Sequence, residues 1–363
     1  MQKQQLRLPV HSITLSSWQK KRFFHSKQQH MAKPTNVFVR DYLTDNGDVP
    51  NYGGLNLSPD IVPQLSPADP SKVQQLYGLP TYGQDIATQE KINIEAGQSN
   101  YIYMRAKNPT TASLTVQLSL YWSSGGTLQI PSQWINQQIG QSQQITIPAS
   151  TVRAAPEPFI WTPLQLPDLG HYCLIAQVTW NGFNGITKAT TFPNLAAWWT
   201  YCRNNNTIAQ RNMEMVNVKP NNRVEWNLDL LNPDPNPLLH TVVAVCNVPE
   251  GSTVALYCSA PQLNPPISTG PVTILGTDNN QNVIASTMFP ANFQGTLQLI
   301  FQPPGNAQPG LYSIVAQQYA ASSSGKYDFL GSYTFEITIS LGDDERKTLI
   351  VAHQHQLLKK LLS

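Results

Sequence analysis

The sequence predicts an all-β protein, built as two tandem β-sandwiches with a basic N-terminal arm before them and a short C-terminal amphipathic helix after them. Three observations favour this fold class. The 363 residues include 29 Pro and 21 Gly, which are poor residues for helix interiors and common in turns. Apolar and polar residues alternate over many short runs, as they do in half-buried antiparallel strands. One strand-like phrase also occurs twice.

The clearest alternating run is LTVQLSLYW, at positions 114–122. In an extended strand every second side chain points to the same face, so this run would place one apolar face on a core. The residues of that face are Leu114, Val116, Leu118, Leu120 and Trp122. Clusters of Pro, Gly, Asn and Ser separate this run from its neighbours, which indicates turns between short strands.

The repeated phrase is GHYCLIAQV at 170–178 and GLYSIVAQQ at 310–318. A second match accompanies it in the same order, because Asn108-Pro109 between two strand-like runs aligns with Asn232-Pro233. Two ordered matches predict an internal duplication. We therefore divide the chain into an arm (1–30), a first sandwich (31–218) with a long decorated loop at 41–90, a second sandwich (219–341) and a C-terminal helix (342–363).

Charge separates the arm from the rest of the chain. The first 30 residues hold six basic residues and no acid, whereas the remaining residues hold 17 basic and 21 acidic groups, a net charge of −4. A mildly acidic body does not predict nucleic-acid binding. Three interpretations of the arm stay open: a transit-like segment, an arm that docks on a neighbouring subunit, or a translated leader before a start at Met31. The docking interpretation assigns assembly contacts to Arg7, Lys20, Lys21 and Arg22.

The tail is the only segment for which the sequence predicts a helix. Leu349, Ile350, Leu357 and Leu361 recur at helical spacing, acids stand at its start, and two lysines near its end suit the helix dipole. Such a stripe predicts docking on this protein's own sandwich or assembly with a partner, and is a poor membrane helix.

Targeting and cysteine signals are few. No apolar run reaches the roughly 20 residues of a membrane-spanning helix, and the N-terminus lacks the apolar stretch of a Sec signal peptide. We therefore expect a cytoplasmic protein or one exported by a non-Sec route. The pairs Cys173–Cys202 and Cys246–Cys258 are candidate disulfides, with buried free thiols as the alternative.

Two sets of motifs carry a family resemblance. DLGHYC, at 168–173, resembles the entry to strand F of immunoglobulin-like domains, where a Tyr bonds backbone near the strand corner. The ordered phrases NVFVRDYLTDNGDVPN (36–51), LSPDIVP (57–63) and NNNTIAQRNMEMV (204–216) flank that strand. Residues 36–218 are thereby similar to bacterial immunoglobulin-like domains of the CARDB (cell-adhesion-related) type. The resemblance implies a non-catalytic accessory or adhesive module.

Two candidate binding sites are present. The aromatic cluster of Trp198, Trp199 and Tyr201, near Asn204, offers the rings and amides of a polysaccharide-binding surface. Adjacent strand residues point to opposite faces, which places at least one Trp in a core and favours packing over sugar binding. DYLTDNGD brings Asp41, Asp45 and Asp48 into one loop, a possible Ca²⁺ site. Its Asp-Asn-Gly is also an ordinary turn sequence, and turn formation is favoured; no other cofactor is expected.

No catalytic constellation is expected. Asp168, His171 and Cys173 are close in sequence, but no nucleophile elbow precedes them and Cys173 suits a core position. The sequence thus predicts a non-enzymatic structural or adhesive protein with protein partners, a subunit of a self-assembled or larger complex. The alternative is a carbohydrate-binding, lectin-like module.

Overall fold

A computed structural model of the protein describes residues 34–51, 56–87, 94, 96–164, 172–275, 281–321 and 327–339. We call the chain before residue 219 the first half and the remainder the second half. The strands of the first half are β1 (Ile61–Gln64), β2 (Asn100–Asn108), β3 (Leu114–Ser124), β4 (Gln138–Ile147), β5 (Thr151–Ala154), β6 (Phe159–Trp161), β7 (Tyr172–Thr179), β8 (Ile208–Arg211) and β9 (Met213–Val218). Those after it are β10 (Val224–Asn232), β11 (Leu238–Asn247), β12 (Thr253–Cys258), β13 (Ile267–Ser268), β14 (Val272–Thr273), β15 (Gln281–Phe289), β16 (Phe293–Gln302), β17 (Gly310–Ala321) and β18 (Tyr327–Ile339).

The all-β prediction is confirmed, with short helical segments between strands. These are α1 (Val73–Tyr77), α2 (Pro131–Trp134), α3 (Leu195–Arg203) and two 3₁₀ turns at Pro70–Lys72 and Leu79–Thr81. The described strands form four sheets, with orders β1-β2-β5, β4-β3-β7-β8, β10-β16-β12-β13 and β15-β11-β17-β18-β9. All neighbouring strands are antiparallel except β18 and β9, which are parallel. β6 pairs with β2, and β14 pairs with β12.

β3 shows how alternating apolar and polar residues place one face of a strand on the core. Val116, Leu118 and Leu120 are buried between the two sheets of the first half, together with Ile102 and Met104 of β2. Burying branched apolar side chains on one face stabilises a strand by roughly 1.5–3 kcal/mol per side chain. The run therefore forms a strand whose apolar face packs on the core, as its alternation of apolar and polar residues predicted.

β7 departs from simple alternation. All six residues from Cys173 to Val178 are buried, so both faces of this strand are covered. Leu174 and Val178 face the core of the first half, whereas Cys173 and Ile175 belong to a second apolar cluster that continues into Leu230 of β10. The sheet containing β7 is therefore packed on both sides, as central layers are.

The pairing of strands repeats along the chain. β3 lies between β4 and β7, and β11 lies between β15 and β17 in the same relation. Asn108 and Asn232 make matching hydrogen bonds: the Nδ2 of Asn108 donates to the carbonyls of Ala112 and Pro148, and that of Asn232 to those of Asn236 and Pro290. Both side chains are fully buried. One turn design therefore occurs twice.

The halves are joined by a crossing strand and by close backbone contacts. The run at 208–218 forms two strands instead of one: β8 pairs with β7, whereas β9 pairs with β18 of the second half. The backbone N–H of Asp229 donates to the Gly125 carbonyl at 2.8 Å. At Gly331 a Cβ atom would overlap the carbonyl oxygen of Thr127, so only glycine permits this approach.

The expectation that the tail is the only helix was wrong, because α3 spans Leu195–Arg203. The Oδ1 of Asn194 accepts the N–H of Ala197 at 2.9 Å, which is an N-cap, and Ala196 and Ala197 follow it in the first turn. Trp and Tyr are frequent in strands, and this obscured the cap in the sequence. The four cysteines are free thiols, three of them buried, so neither candidate disulfide is formed.

Candidate functional site

α3 places the predicted aromatic residues on two different sides of a helix. Trp198 packs against Phe192, with ring centroids 4.9 Å apart, and stacks on Tyr201 at 6.0 Å. Trp199 points elsewhere, edge-on to Phe329 at 5.6 Å, with the Arg203 guanidinium 4.6 Å from its ring centroid. The strand-based reason for separating the two rings was therefore wrong, since residues adjacent in a helix diverge by about 100°.

Neither indole forms an open platform. Trp198 is 3% exposed and Trp199 is 8% exposed. Tyr201 is half-buried against Phe192, and Asn204 is exposed, where its Nδ2 donates to the Thr200 carbonyl at the helix end. Three of the four residues thus belong to one helix and Asn204 caps its end, but only Trp198 lies beside a cavity.

That cavity, which we call the groove, lies between α3 and the second half. Its volume is about 400 Å³, and its walls come from segments 130–132, 190–198, 231–233 and 292–294. No lining residue is charged; apolar rings alternate with Asn, Gln, Ser and Thr side chains. Small ligands usually bind in concave sites of this size, where apolar rings are combined with a few polar groups. The sequence indicated Trp198 but not the opposite wall, because residues 292–294 form a turn and the start of β16 and carry no binding motif.

A buried polar network reaches the groove at Leu231. The Gln318 side chain accepts a hydrogen bond from Thr127 Oγ1 at 2.5 Å, and its Nε2 donates to the Leu231 carbonyl at 2.7 Å. The same Nε2 contacts His240 Nδ1 at 2.9 Å, which assigns the ring proton to Nε2. Thr127 is in the first half and the others are in the second. The network therefore links Leu231, which lines the groove, to Thr127 of the first half.

Protonation of His240 is expected to weaken the fold. Burial lowers the pKa of His240 from 6.5 to about 4, although Asp234 opposes the shift. The unfolded chain then binds the proton more readily, so stability is complete above pH 6.5 and declines as pH falls toward 4. The loss amounts to about 3 kcal/mol. Urea unfolding of the parent and of His240→Gln across pH 4–8 measures it.

Glu336 has the opposite dependence in an overlapping range. Burial, with a contribution from Asp85, raises its pKa to about 7, so its favourable contribution is complete below its unfolded value and declines as pH rises through 7. The contribution of Glu336 to stability is the same in the parent and in His240→Gln, so it cancels when the two proteins are compared at each pH. A stability difference between the two that stayed constant from pH 4 to 8 would contradict the prediction.

The carboxylates of Asp41 and Asp45, in the predicted calcium loop, accept hydrogen bonds from nearby backbone and side-chain N–H groups. The Asp45 carboxylate accepts the N–H groups of Asp41 and Gly47, at 2.9 and 2.7 Å, and Asp41 accepts from Asn51 Nδ2 at 2.6 Å. Burial and the neighbouring carboxylate raise the pKa of Asp41. Asp48 is half-buried. Within the described part of the chain, no three acidic, His or Cys side chains converge as a metal site.

Beside this loop lies a charged cluster that sequence analysis missed. Asp60 accepts from Arg40 Nη2 at 2.6 Å and from Arg105 Nε at 2.8 Å, and all three side chains are buried. The Arg40 guanidinium also lies 3.5 Å from the ring centroid of Tyr82. Arg211 pairs with Asp85 at 3.1 Å nearby. These ion pairs fasten the decorated loop to β2 and β8.

Phrases behind the family resemblance supply much of this cluster. Arg40 belongs to the first phrase, Asp60 to the second and Arg211 to the third. Arg40 ends the strand-like run NVFVR and Arg211 lies within the run at 208–218. A charge in a strand-like run was the available signal, because charged side chains are almost never fully buried unless they are paired.

The other sequence candidates are either buried or outside the described residues. Cys173 is fully buried, and burial raises its thiol pKa, which disfavours the nucleophilic thiolate. Asp168 and His171 lie outside the described residues. So do the proposed assembly residues of the arm and tail: Arg7, Lys20, Lys21, Arg22, Leu349, Ile350, Leu357 and Leu361. No helix in the described ranges is long and apolar enough to cross a bilayer.

Comparisons with known proteins give only distant likenesses. No family model matches the chain. No curated protein matches it either. A solved family 123 glycoside hydrolase from Clostridium perfringens matches at TM-score 0.22 and 11% identity, over 36% of this chain and 23% of the hydrolase. The chain thus spans about a quarter of that enzyme's length.

Two smaller structures are matched over most of their own length. A type I cohesin–dockerin complex from Clostridium thermocellum matches at TM-score 0.24 and 14% identity, over 34% of this chain and 93% of that one. The PapD-like domain 7 of human CEP192 matches at TM-score 0.23 and 12% identity, over 44% and 96%. Similarity at this level occurs among proteins of unrelated function.

Proposed function

We propose that the protein is a non-catalytic structural or adhesive subunit of a larger assembly, built from two tandem immunoglobulin-like sandwiches that present interaction surfaces. The repeated strand pairing supports the two-sandwich interpretation. So does Tyr312, whose hydroxyl donates to the Gln308 carbonyl four residues upstream at 3.0 Å. This contact resembles the tyrosine corner of immunoglobulin-like domains. Tyr172, its counterpart, accepts the Ile94 N–H at 2.8 Å.

The observation that carries the assembly proposal is the edge strand β15. It ends its five-stranded sheet and, within the described ranges, pairs with β11 alone. None of its nine residues is charged or Pro, and Ile284 and Met288 on its outer face are 39% and 47% exposed. Natural edge strands usually carry Lys, Pro or bulges that block pairing. An unguarded edge favours addition of a strand from another chain.

Part of the edge is already covered, which limits where a partner strand pairs. Thr287 Oγ1 donates to the Pro265 carbonyl at 2.7 Å, so the loop before β13 shields that end of the strand. From Gln281 to Ser286, β15 has no second hydrogen-bonded strand within the described ranges. We propose that a protein partner, in the simplest case another copy, adds a strand there.

Light scattering of the full-length protein over a range of concentrations tests the proposal. We expect the mass to exceed that of one chain, 40.3 kDa, and to fall toward it in Ile284→Lys. The matched control is Ile160→Lys, which replaces an exposed Ile on β6 of the first half. A parent that remains monomeric at all concentrations, or an equal effect of both substitutions, would count against the assembly.

A further inference from the structure

We infer that the groove between α3 and the second half binds an uncharged saccharide, with the sugar face against Phe192 and its hydroxyls on the amides of Asn292 and Gln294. This inference does not depend on the proposed assembly, because the groove does not include β15. The alternative interpretation of the sequence placed carbohydrate binding on exposed Trp198 and Trp199, but both side chains are buried. The proposed binding site is instead the groove, in which Trp198 packs behind Phe192.

The aromatic side of the groove is held rigid from behind. Phe192 is half-buried, and its ring meets Trp198 and Tyr201 edge-on at 4.9 and 5.3 Å. Asn194 fixes the start of α3 through its N-cap, so the rings have a defined orientation. A pre-oriented aromatic wall offers an apolar surface for the C–H face of a sugar ring without further ordering of side chains.

The opposite side supplies polar groups with no competing partner. Within the described ranges, the side-chain amides of Asn292 and Gln294 make no hydrogen bond, and both side chains are exposed. The backbone beneath them is fixed, since the Asn292 N–H donates to the Asp234 carbonyl at 3.0 Å and Asn292 has φ 54°. Each amide offers donors and an acceptor, which matches a hydroxyl that can both donate and accept.

Charge and geometry select the ligand class. None of the lining residues is charged, so an ionised ligand would lose hydration without gaining a counter-charge. An extended peptide would bind through main-chain hydrogen bonds to an open strand edge. The free polar groups of the groove are side-chain amides, Asn292 on a turn and Gln294 near the start of β16, and side-chain amides suit a polyhydroxylated ring better than a peptide backbone.

The test measures binding of named probes by calorimetry and by tryptophan fluorescence. The neutral probes are cellohexaose, xylohexaose, laminarihexaose and mannohexaose; the contrasting probes are a hexagalacturonate and an uncharged proline-rich peptide. We expect at least one neutral probe to bind, and the double variant Asn292→Gly/Gln294→Ala to bind it about tenfold more weakly, as for the loss of one or two neutral hydrogen bonds. Glycine at 292 removes the amide and keeps the positive φ accessible.

A matched control removes an exposed Asn and Gln away from the groove, as Asn181→Ala/Gln308→Ala, and should leave affinity unchanged. Phe192→Ala should abolish binding, and its far-UV circular dichroism separates this from unfolding. Failure of all four neutral probes to bind would overturn the inference. So would groove-dependent binding of the hexagalacturonate or the peptide, or an equal loss in the control variant.

Discussion

Replacing Asp60 by Asn is expected to lower the free energy of unfolding by about 3–5 kcal/mol, the usual cost of breaking a buried ion pair. Among the described residues, Asp60 is the only carboxylate that forms ion pairs with both Arg40 and Arg105, and none of the three side chains is more than 2% exposed. Asn keeps the shape but removes the charge, so two guanidinium groups remain buried without the neutralising anion.

Other contacts hold both arginines in place, so they cannot turn to water. Arg40 Nη1 donates to the carbonyls of Leu43 and Tyr82, and Arg105 Nη2 donates to those of Pro59 and Gln84. These donors bind neutral oxygens, which orient the guanidinium groups but do not balance their charge. The loss should therefore appear in full in urea unfolding followed by circular dichroism.

The matched control is Glu225→Gln, which removes an ion pair at the surface. Arg223 and Glu225 are 56% and 40% exposed, so the loss should stay below about 1 kcal/mol. If Asp60→Asn cost no more than this control, the buried cluster would not be what fastens the loop to β2.

Acid is expected to lower the free energy of unfolding of the parent in the same way, because protonation removes the charge of Asp60. Burial alone would raise the pKa of Asp60, but the two guanidinium groups outweigh it and the pKa lies below its ordinary 3.8. Its contribution is therefore complete above the unfolded pKa and declines as pH falls through the lower folded value. Asp60→Asn should show less acid sensitivity than the parent below about pH 4.

Replacing Gly331 by Ala is expected to destabilise the protein by about 3 kcal/mol, at the upper end of the cost of overpacking. Its new Cβ would overlap the Thr127 carbonyl oxygen, which belongs to the backbone and cannot rotate away. Gly331 also follows the point where the β17–β18 register shifts, so β18 cannot slide to relieve the overlap without breaking its ladder. Calorimetric melting of parent and variant measures the loss.

Gly83→Ala is the matched control for Gly331→Ala. No atom lies within 4 Å of a Cβ added at Gly83, and stability should change by less than about 0.5 kcal/mol. A Gly331→Ala protein as stable as Gly83→Ala would contradict the prediction.

The sequence was informative where one short run decides the structure. β3 was predicted from alternation, and the shared Asn-Pro turns were predicted from Asn108 and Asn232, because the determinants are local. α3 was missed although its cap and alanines are equally local, since strand-favouring aromatic residues outweighed them. The docking of β7 on both faces was not predictable, because it depends on contacts with Leu230 in the other half.

The candidate site shows the same division. Trp198 could be selected from composition alone, and the structure places it beside the groove. Asn292 and Gln294 lie 94 and 96 residues further along the chain, and the local sequence around them does not state which residues face them. The same applies to Asp60, which meets Arg105 across 45 residues. Contacts between residues so far apart in sequence depend on how the sheets pack, and no short stretch of sequence predicts them.

The crossing strand β9 has a consequence for how the chain is made. Met213 pairs with Thr334, 121 residues later, so at ordinary synthesis rates β9 leaves the ribosome on the order of ten seconds before β18 exists. During that interval the nascent first half lacks the strand that will border β9. Translation speed through residues 219–339 therefore sets how long an incomplete sheet edge is open to chaperones or to neighbouring nascent chains.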